Sequence, residues 1–393
     1  MYKLIFNRVQ KIIPRISQTE LIALRSGGTS IDKNIFWGNV NRTDFKNKNN
    51  SPNRDSRYFD LDAKVDKLLL KLGSDPIYPN RDFKEAHSLL SDAGMFKLII
   101  DEKYGGMNLP VSQQSALLTK ISSYNPSLGV ITMVPNSLGP GELLQKYGTE
   151  NQKNKYLPGL ASGKYIPCFG LTGPNNGSDA TGSIDKGVLK EINGEKFIEV
   201  TLNKRYITLA PVSNLIGVAF HLEDPDNLLE NGTDGVTLAL LERGHKGLSQ
   251  DTYHNPNNVG FPNGTLKGTV RIKLNDIIGG EERAGQGWKM LMECLAVGRA
   301  VSLPATANAA SKASTLAMHQ YLNHRKQFKI PIGKMEGVRN KFIDMAVQTW
   351  IINCSISFTN NILDQGTAPS VISALMKQQT TERGRNVLNH ALD

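Results

Sequence analysis

The chain has 393 residues, of which 39% are apolar and 21% charged, and its formal net charge at pH 7 is +10. This composition is that of an ordinary soluble globular protein, and the length predicts two or three domains. The three cysteines, Cys168, Cys294 and Cys354, are far apart in sequence, which argues against structural disulfides or a zinc site and fits a reducing cytoplasm.

The positive net charge favours an anionic partner, or it reflects lysine-rich solvated surfaces that need none. The sequence contains no zinc-finger spacing, RNP motif or block of like charge, so we expect no nucleic-acid partner. A CoA thioester and the inner-leaflet surface of a bacterial membrane are the other anionic candidates. The histidines show no metal-ligand spacing, so no metal is expected. No continuous run approaches about eighteen apolar residues.

Residues 1–16 combine apolar and basic side chains at the spacing of a short amphipathic helix. The apolar positions include Leu4, Ile5, Val9, Ile12 and Ile13, and the basic ones are Lys3, Arg8, Lys11 and Arg15. Such a helix could lie on an anionic membrane surface or dock on its own protein, and both interpretations stay open. The segment lacks the features of a secretory signal. Residues 1–57 are therefore predicted to be a basic extension followed by a polar, Asn-rich linker.

Helical periodicity dominates residues 58–165, which predicts an all-α domain. Residues 61–72 place leucine and valine on one stripe, and residues 83–93 form a second helix that Gly94 ends. Residues 111–123 and 139–147 supply two more helices.

The period changes over residues 166–278 to the alternation of half-buried strands. Clusters of Gly, Asn and Pro separate the alternating segments. The predicted strands are residues 197–202, 215–222, 236–241 and 269–274. This pattern predicts a compact antiparallel β domain between two helical domains.

Helical periodicity returns over residues 279–393. We expect one long helix, or a pair bent at Pro304, over residues 288–322, and further helices over 338–363 and 369–392. Helical bundles usually have four helices, and nothing after the third covers its apolar stripe of Val371, Ala374, Leu375 and Met376. The C-terminal helical domain is therefore expected to be incomplete, cut short at Asp393 unless a partner supplies the cover.

Residues 168–179, C-F-G-L-T-G-P-N-N-G-S-D, link the helical and strand-rich parts. Residues 169–172 are predicted to be a short strand, and residues 173–177 must then turn. This segment suits an acceptor-rich planar heterocycle that carries a phosphate, or it is a tight turn that only ends the strand.

Further motifs recur in a characteristic order around this segment: Y-G-T-E at 147–150, R-Y-I-T-L at 205–209, G-Q-G-W at 285–288 and R-K-Q-F at 325–328. Together they resemble the acyl-CoA dehydrogenase family from about Ile13 to Asp393, and most of all its large bacterial members in fatty-acid β-oxidation. The family's flavin loop reads aromatic-x-Leu/Met-Thr-Glu-Pro-x-Ala-Gly-Ser-Asp. Here Gly173 replaces the Glu and Asn176 replaces the Ala. The implied fold is α+β and acyl-CoA dehydrogenase-like.

The resemblance implies FAD as cofactor and assigns residues to it. Phe169, Leu171 and Thr172 would contact the flavin pyrimidine edge. Ser178 would bind the flavin phosphate near the CoA substrate. Tyr206, Ile207 and Thr208 match the family's Trp-Ile-Thr element at the flavin. Arg325 and Phe328 match a contact to a neighbouring subunit's flavin. Arg299 matches an arginine near the acyl thioester. Without the resemblance, residues 206–208 would be an ordinary strand and residues 324–326 a solvated helix end.

The implied reaction is α,β-dehydrogenation of an acyl-CoA, which needs a carboxylate base near Cα. The resemblance puts that glutamate beyond Asp393, or at an alternate position that is Gly298 here, so no catalytic residue is assigned. Glu293 lies about 140° around the helix from Gly298 and should point elsewhere.

The open alternatives are a truncated remnant, one half of a split enzyme, a non-catalytic FAD or acyl-CoA binding module, and an acyl-CoA or nitroalkane oxidase. The resemblance further implies electron-transfer flavoprotein as electron acceptor and a homo-oligomer. The expected location is cytoplasmic, and the basic N-terminus leaves peripheral contact with the inner membrane as an open alternative.

Overall fold

The structure is a computed structural model, and it describes residues 2–12, 16–45, 56–79, 81–182, 184–367 and 369–393. Part of the predicted linker, residues 46–55, lies outside the described residues, as do Ile13 and Arg15 of the basic N-terminal pattern. The predicted domain boundaries stay predictions, and the elements below are given by their observed bounds.

The described part of the chain begins with helices that fall into two groups along the sequence. The first group holds α1 (Tyr2–Ile12), α2 (Gln18–Arg25) and α3 (Asp32–Phe36); the second holds α4 (Ser56–Ser74), α5 (Phe83–Asp92), α6 (Val111–Tyr124), α7 (Pro126–Met133), α8 (Pro140–Tyr147) and α9 (Glu150–Ala161). The predicted stripe of α4 is buried at Leu61, Val65, Leu68 and Leu72. Gly94 follows α5 with φ +82°, as expected for a glycine that ends a helix.

A seven-stranded sheet follows, built from β1 (Pro167–Gly170), β2 (Lys186–Ile192), β3 (Glu195–Thr208), β4 (Leu215–Glu223), β5 (Gly235–Glu242), β6 (Tyr253–His254) and β7 (Asn263–Lys273). The strand order is β1-β4-β2-β3-β7-β6, with β5 on β4. Most pairs are antiparallel, but β1 and β2 both run parallel to β4. The sheet is therefore mixed rather than purely antiparallel, because the β2–β3 hairpin serves as the crossover that a parallel pair needs.

The C-terminal part contains α10 (Gly287–His324), the short hairpin β8 (Lys326–Gln327) and β9 (Ile330–Pro331), α11 (Glu336–Asp364) and α12 (Ser370–Leu392). Helix α10 runs unbroken through Pro304, so the single long helix is the correct one of the two predicted alternatives. It packs against α11 and α12 and also against α6 of the second group of N-terminal helices.

The apolar stripe of α12 is only partly uncovered. Met376 is buried in a cluster with Ile31 of the N-terminal segment and Ile352 of α11. Leu375 remains 52% exposed. The prediction that nothing in this chain covers the stripe is therefore wrong for Met376 and agrees with the exposure of Leu375.

Helix α10 is long and apolar enough to cross a membrane by length and composition alone. However, 67% of its most apolar stretch is buried inside the protein. Its apolar side chains, among them Ala300, Val301 and Ala305, are packed against neighbouring elements of this fold.

Asn136 joins the turn after α7 to the segment after α5. Its Nδ2 donates to the carbonyl oxygens of Met95 at 2.7 Å and Thr132 at 2.8 Å, and its Oδ1 accepts from the Leu98 N–H at 3.2 Å. The side chain is buried. These bonds fix the start of the segment that leads into α8.

We expect Asn136→Ala to lower the free energy of unfolding by about 2–4 kcal/mol, because it leaves buried backbone groups unpaired. Urea denaturation measures this loss. The control is Asn154→Ala on the exposed side of α9, which should change stability by less than about 0.5 kcal/mol. Equal losses in the two variants would contradict the structural role of Asn136.

Candidate active site

The loop after β1 is held together by one buried side chain, that of Asn176. Its Oδ1 accepts a hydrogen bond from the Gly173 N–H at 2.6 Å. Its Nδ2 donates to the carbonyl oxygens of Leu171 at 3.1 Å and Ala180 at 3.0 Å. The strand itself ends at Gly170, so Leu171 and Thr172 belong to the loop rather than to the predicted strand.

Gly173 and Asn176 are the two positions that depart from the family pattern, and they depend on each other. A Cβ atom on residue 173 would lie 2.7 Å from Asn176 Oδ1 and 3.0 Å from the Asn203 carbonyl oxygen. The asparagine therefore requires a glycine three residues earlier. Both replacements thus belong to one alternative way of bonding the same loop.

An ion pair between a buried lysine and a half-buried aspartate fixes this loop to β3. Lys204 is fully buried, and its Nζ lies 3.0 Å from Asp185 Oδ2 and donates to the Leu171 carbonyl oxygen at 3.2 Å. Burial lowers the pKa of Lys204, and the charge of Asp185 opposes that shift. The next residue continues the link, because the Arg205 N–H donates to the Thr172 carbonyl oxygen at 3.0 Å. The loop and β3 therefore form one bonded unit.

The Tyr206-Ile207-Thr208 segment follows directly at a β-bulge in the β3–β7 pairing. Tyr206 has φ +58°, an uncommon conformation for a bulky residue. Its ring is half exposed and lies 5.0 Å from the His254 ring, centroid to centroid. Ile207 is buried and Thr208 is half-buried. The bulge thus turns Tyr206 outward while Ile207 stays in the core.

Two cavities meet at the start of α8. The smaller, of about 170 Å³, is lined by Phe169 and Leu171 together with Ser137, Gly139, Glu142, Leu143, Leu291 and Cys294. The larger, of about 450 Å³, extends past Ser137 and Glu142 toward Lys146 and Asp364. The structure therefore brings Phe169 and Leu171 to a shared cavity.

Glu142 is a residue of this region that sequence reasoning missed. Its side chain is half-buried where the two cavities meet, and no ion pair or hydrogen bond with another described residue compensates it. Burial raises its pKa to about 8, against the opposing charge of Lys146. The sequence carries no signal for this, because a glutamate on an amphipathic helix is ordinarily read as a surface residue.

The second carboxylate nearby, Glu293, is fully engaged. It accepts from Lys146 Nζ at 2.8 Å and from the Tyr147 hydroxyl. Burial alone would raise the pKa of Glu293, but these two bonds lower it overall. Glu293 is therefore held by Lys146 and Tyr147, and its orientation away from the site stays a prediction.

Of the remaining predicted residues, Ser178 belongs to this loop, whereas no hydrogen bond or ion pair within the described residues links Arg299, Arg325 or Phe328 to the unit. Arg299 is exposed on α10, with Nη2 4.0 Å from Met292 Sδ, and Gly298 beside it is buried. Ser178 is exposed in the loop. Arg325 and Phe328 lie on the exposed β8–β9 hairpin, where Phe328 is 91% exposed and has φ +52°.

Two family models match this chain. The model described as acyl-CoA dehydrogenase, N-terminal domain, matches residues 72–164, and the model described as acyl-CoA dehydrogenase, C-terminal domain, matches residues 285–393. Together they cover just over half of the chain, including α8, α9 and the three C-terminal helices.

Three similar proteins illustrate the range of relatives. A probable acyl-CoA dehydrogenase FadE10 of Mycobacterium tuberculosis is 27% identical over 285 residues, 70% of this chain and 41% of that protein, so the chain spans about two fifths of its length. A 3-(aryl)acrylate reductase of Clostridium sporogenes is 27% identical over 315 residues, 79% of each chain. The structure of butyryl-CoA dehydrogenase from Megasphaera elsdenii has a TM-score of 0.71 at 23% identity, covering 85% of this chain and 87% of that one.

The pairing of Gly173 with Asn176 predicts non-additive substitutions. Gly173→Glu should destabilise the wild-type loop by about 2–3 kcal/mol through steric conflict, and Asn176→Ala by a similar amount through lost hydrogen bonds. The double variant should lose at least about 1 kcal/mol less than the sum, because alanine removes the nearer of the two contacts, the one with Asn176 Oδ1. Urea denaturation of the four proteins measures the coupling. Additive losses would show that the two positions are independent.

Glu142→Gln is expected to stabilise the protein, and more so as the pH rises. The folded-state pKa of about 8 exceeds the value in an unfolded chain, so unfolding releases a proton between about pH 5 and pH 8. The neutral carboxyl therefore contributes its full stabilisation below this window. As the pH rises through the window, the free energy of unfolding falls by on the order of 1.4 kcal/mol for each unit by which the folded-state pKa exceeds the unfolded-state pKa. Denaturation of wild type and variant across the window measures the difference.

Glu85→Gln on the exposed side of α5 is the matched control for this pH series. It carries the same chemical change outside the cavity, so its difference from wild type should vary little over the same window. If the Glu142→Gln difference also stayed constant with pH, Glu142 would not be a half-buried neutral acid.

Proposed function

Since this chain belongs to the acyl-CoA dehydrogenase family, we propose that it serves the FAD-dependent α,β-dehydrogenation of an acyl-CoA thioester to the trans-2-enoyl-CoA. The observation that carries the proposal is the bonded unit formed by the loop after β1 and the bulge of β3. It joins the two elements whose sequence motifs resemble the family's flavin contacts. Fatty-acid β-oxidation is the setting that this resemblance favours.

The residues of this unit fit FAD. Thr172 and Ser178 carry exposed hydroxyl groups, and no other described residue engages them in a hydrogen bond. Phe169 and Leu171 line an adjacent cavity. We assign these four residues, with Tyr206, Ile207 and Thr208, to FAD, which supplies the hydride acceptor when bound. The protein's part is to hold its donors and apolar side chains in place beforehand.

The acyl thioester is assigned to Ser178 and Arg299. An exposed guanidinium on α10 suits an anionic CoA derivative, because arginine binds phosphate and polarised carbonyl oxygens through several donors.

The α-proton needs a carboxylate within hydrogen-bond reach. Gly298 has none and Glu293 is held by Lys146 and Tyr147. We therefore assign the base to no described residue.

Two partners follow from the proposal. The exposed Arg325 and Phe328 on the β8–β9 hairpin suit a contact with a second copy of the chain, which would form a homo-oligomer with a shared flavin site. Electron-transfer flavoprotein is the proposed acceptor of the electrons. A split enzyme, in which another polypeptide brings the base, and a non-catalytic FAD or acyl-CoA binding subunit are the alternative arrangements.

A second candidate reaction is reduction of an α,β-unsaturated acyl group. A relative named 3-(aryl)acrylate reductase aligns over 79% of this chain, and the reaction is the same hydride transfer in the opposite direction. An acyl-CoA oxidase would use the same residues with oxygen as acceptor. The direction is tested by supplying a saturated acyl-CoA to the oxidised flavoprotein or an enoyl thioester to the reduced flavoprotein, and the acceptor is tested by admitting oxygen to the reduced flavoprotein.

The visible absorption spectrum of the purified protein with FAD tests the proposal. We expect a bound-flavin spectrum, which bleaches upon anaerobic addition of a long-chain acyl-CoA only when a carboxylate base lies within reach of the α-proton. A bound flavin that does not bleach would favour a non-catalytic or split subunit. A protein that binds no flavin would contradict the proposal.

Thr172→Val tests the assignment of the Thr172 hydroxyl to flavin binding. It keeps the shape of the side chain but removes a hydroxyl assigned to FAD, so the Kd for FAD should rise about fivefold to tenfold. Thr381→Val, at a half-buried position of α12, should leave the Kd unchanged. Equal affinities in both variants would contradict the assignment of Thr172.

A further inference from the structure

Helix α2 fixes the N-terminal segment to the body of the protein. Ser17 and Glu20 form a capping box at its start. The Thr19 carbonyl oxygen accepts a hydrogen bond from Trp288 Nε1 at 3.0 Å, and α2 packs against α10 and α12. The chain is therefore held at α2, and α1 lies just before this anchor.

Helix α1, by contrast, buries none of its residues. At 100° per residue, its apolar side chains Tyr2, Ile5, Phe6, Val9 and Ile12 fall within an arc of about 120°. Each of these five is exposed, Phe6 by 63% and Ile12 by 79%. Leu4 is the exception, because it lies on the opposite side between Arg8 and Lys11. An exposed apolar arc of this size calls for a partner.

The charges of α1 decide which partner fits. The helix carries Lys3, Arg8 and Lys11 and no acidic residue. Two copies packed through α1 would bring six positive charges together, which opposes self-association. An apolar arc flanked by cations and neutral polar side chains, with no anion on the helix, matches an anionic lipid surface, where both the acyl boundary and the phosphates are satisfied.

We propose that α1 binds the surface of an anionic lipid bilayer and so attaches the folded body, through α2, to a membrane. The apolar arc enters the boundary between headgroups and acyl chains, and the basic side chains contact lipid phosphates. Of the two interpretations that the sequence left open, the exposure of the whole helix favours the membrane over docking on its own protein. The proposal is independent of the enzyme activity.

Co-sedimentation with vesicles tests this attachment. The full chain is mixed with phosphatidylcholine vesicles, with or without phosphatidylglycerol. We expect strong binding only when the anionic lipid is present, and release by high salt. Lys3→Gln/Arg8→Gln/Lys11→Gln should lower the partition coefficient about a hundredfold. The control Lys67→Gln/Lys84→Gln/Lys246→Gln removes three exposed charges elsewhere and should lower it far less.

Single substitutions on the two sides of α1 test its orientation. Phe6→Ser removes a ring from the apolar arc and should lower partitioning about tenfold or more. Leu4→Ser removes a comparably exposed side chain from the charged side and should have an effect of at most about twofold. Equal effects would overturn the proposed orientation of the helix.

Three results would overturn the proposal itself. One is equal binding to neutral and anionic vesicles, and another is unchanged binding of the triple α1 variant. The third is a wild-type protein that ignores vesicles but whose oligomeric state, in size-exclusion chromatography, depends on Phe6. That outcome would make α1 a contact between copies of the chain. Circular dichroism of each variant verifies that the body remains folded.

Discussion

The ion pair of the buried Lys204 with the half-buried Asp185 is the interaction on which the candidate site depends. A lysine inside a protein is costly unless its charge and its donors are satisfied, and removing one partner of such a pair typically costs about 3–5 kcal/mol. Here the third participant is the Leu171 carbonyl oxygen, which belongs to the loop. The same bond that compensates the buried charge therefore sets the position of the loop against β3.

The rest of the loop is consistent with that constraint. Its two departures from the family pattern, Gly173 and Asn176, do not loosen it, because the asparagine side chain bonds three backbone groups of the loop. The bulge that follows Lys204 exposes Tyr206 and returns Ile207 to the core. The hydrogen bonds of Asn176 thus hold the loop in place, although two of its residues differ from the family's sequence pattern.

Periodicity predicted the helices and the main strands because it reports which face of an element is buried. It could not predict that β1 and β2 pair in parallel with β4, since alternation contains no information about neighbours. One missed residue did leave a signal: Val200, Leu202 and Lys204 alternate on the buried face of β3. Glu142 left none, because its burial depends on cavity walls contributed by β1 and α10.

The burial of the thiols has a practical consequence for spectroscopy. The thiolate is the form that reacts with alkylating reagents. Burial raises the pKa of Cys168 to about 12, and burial, then the charge of Glu142, also raises that of Cys294. Cys354 on α11 is exposed. A single dye or spin label can therefore be attached to the native sequence at one position of the C-terminal helices, without replacing any cysteine.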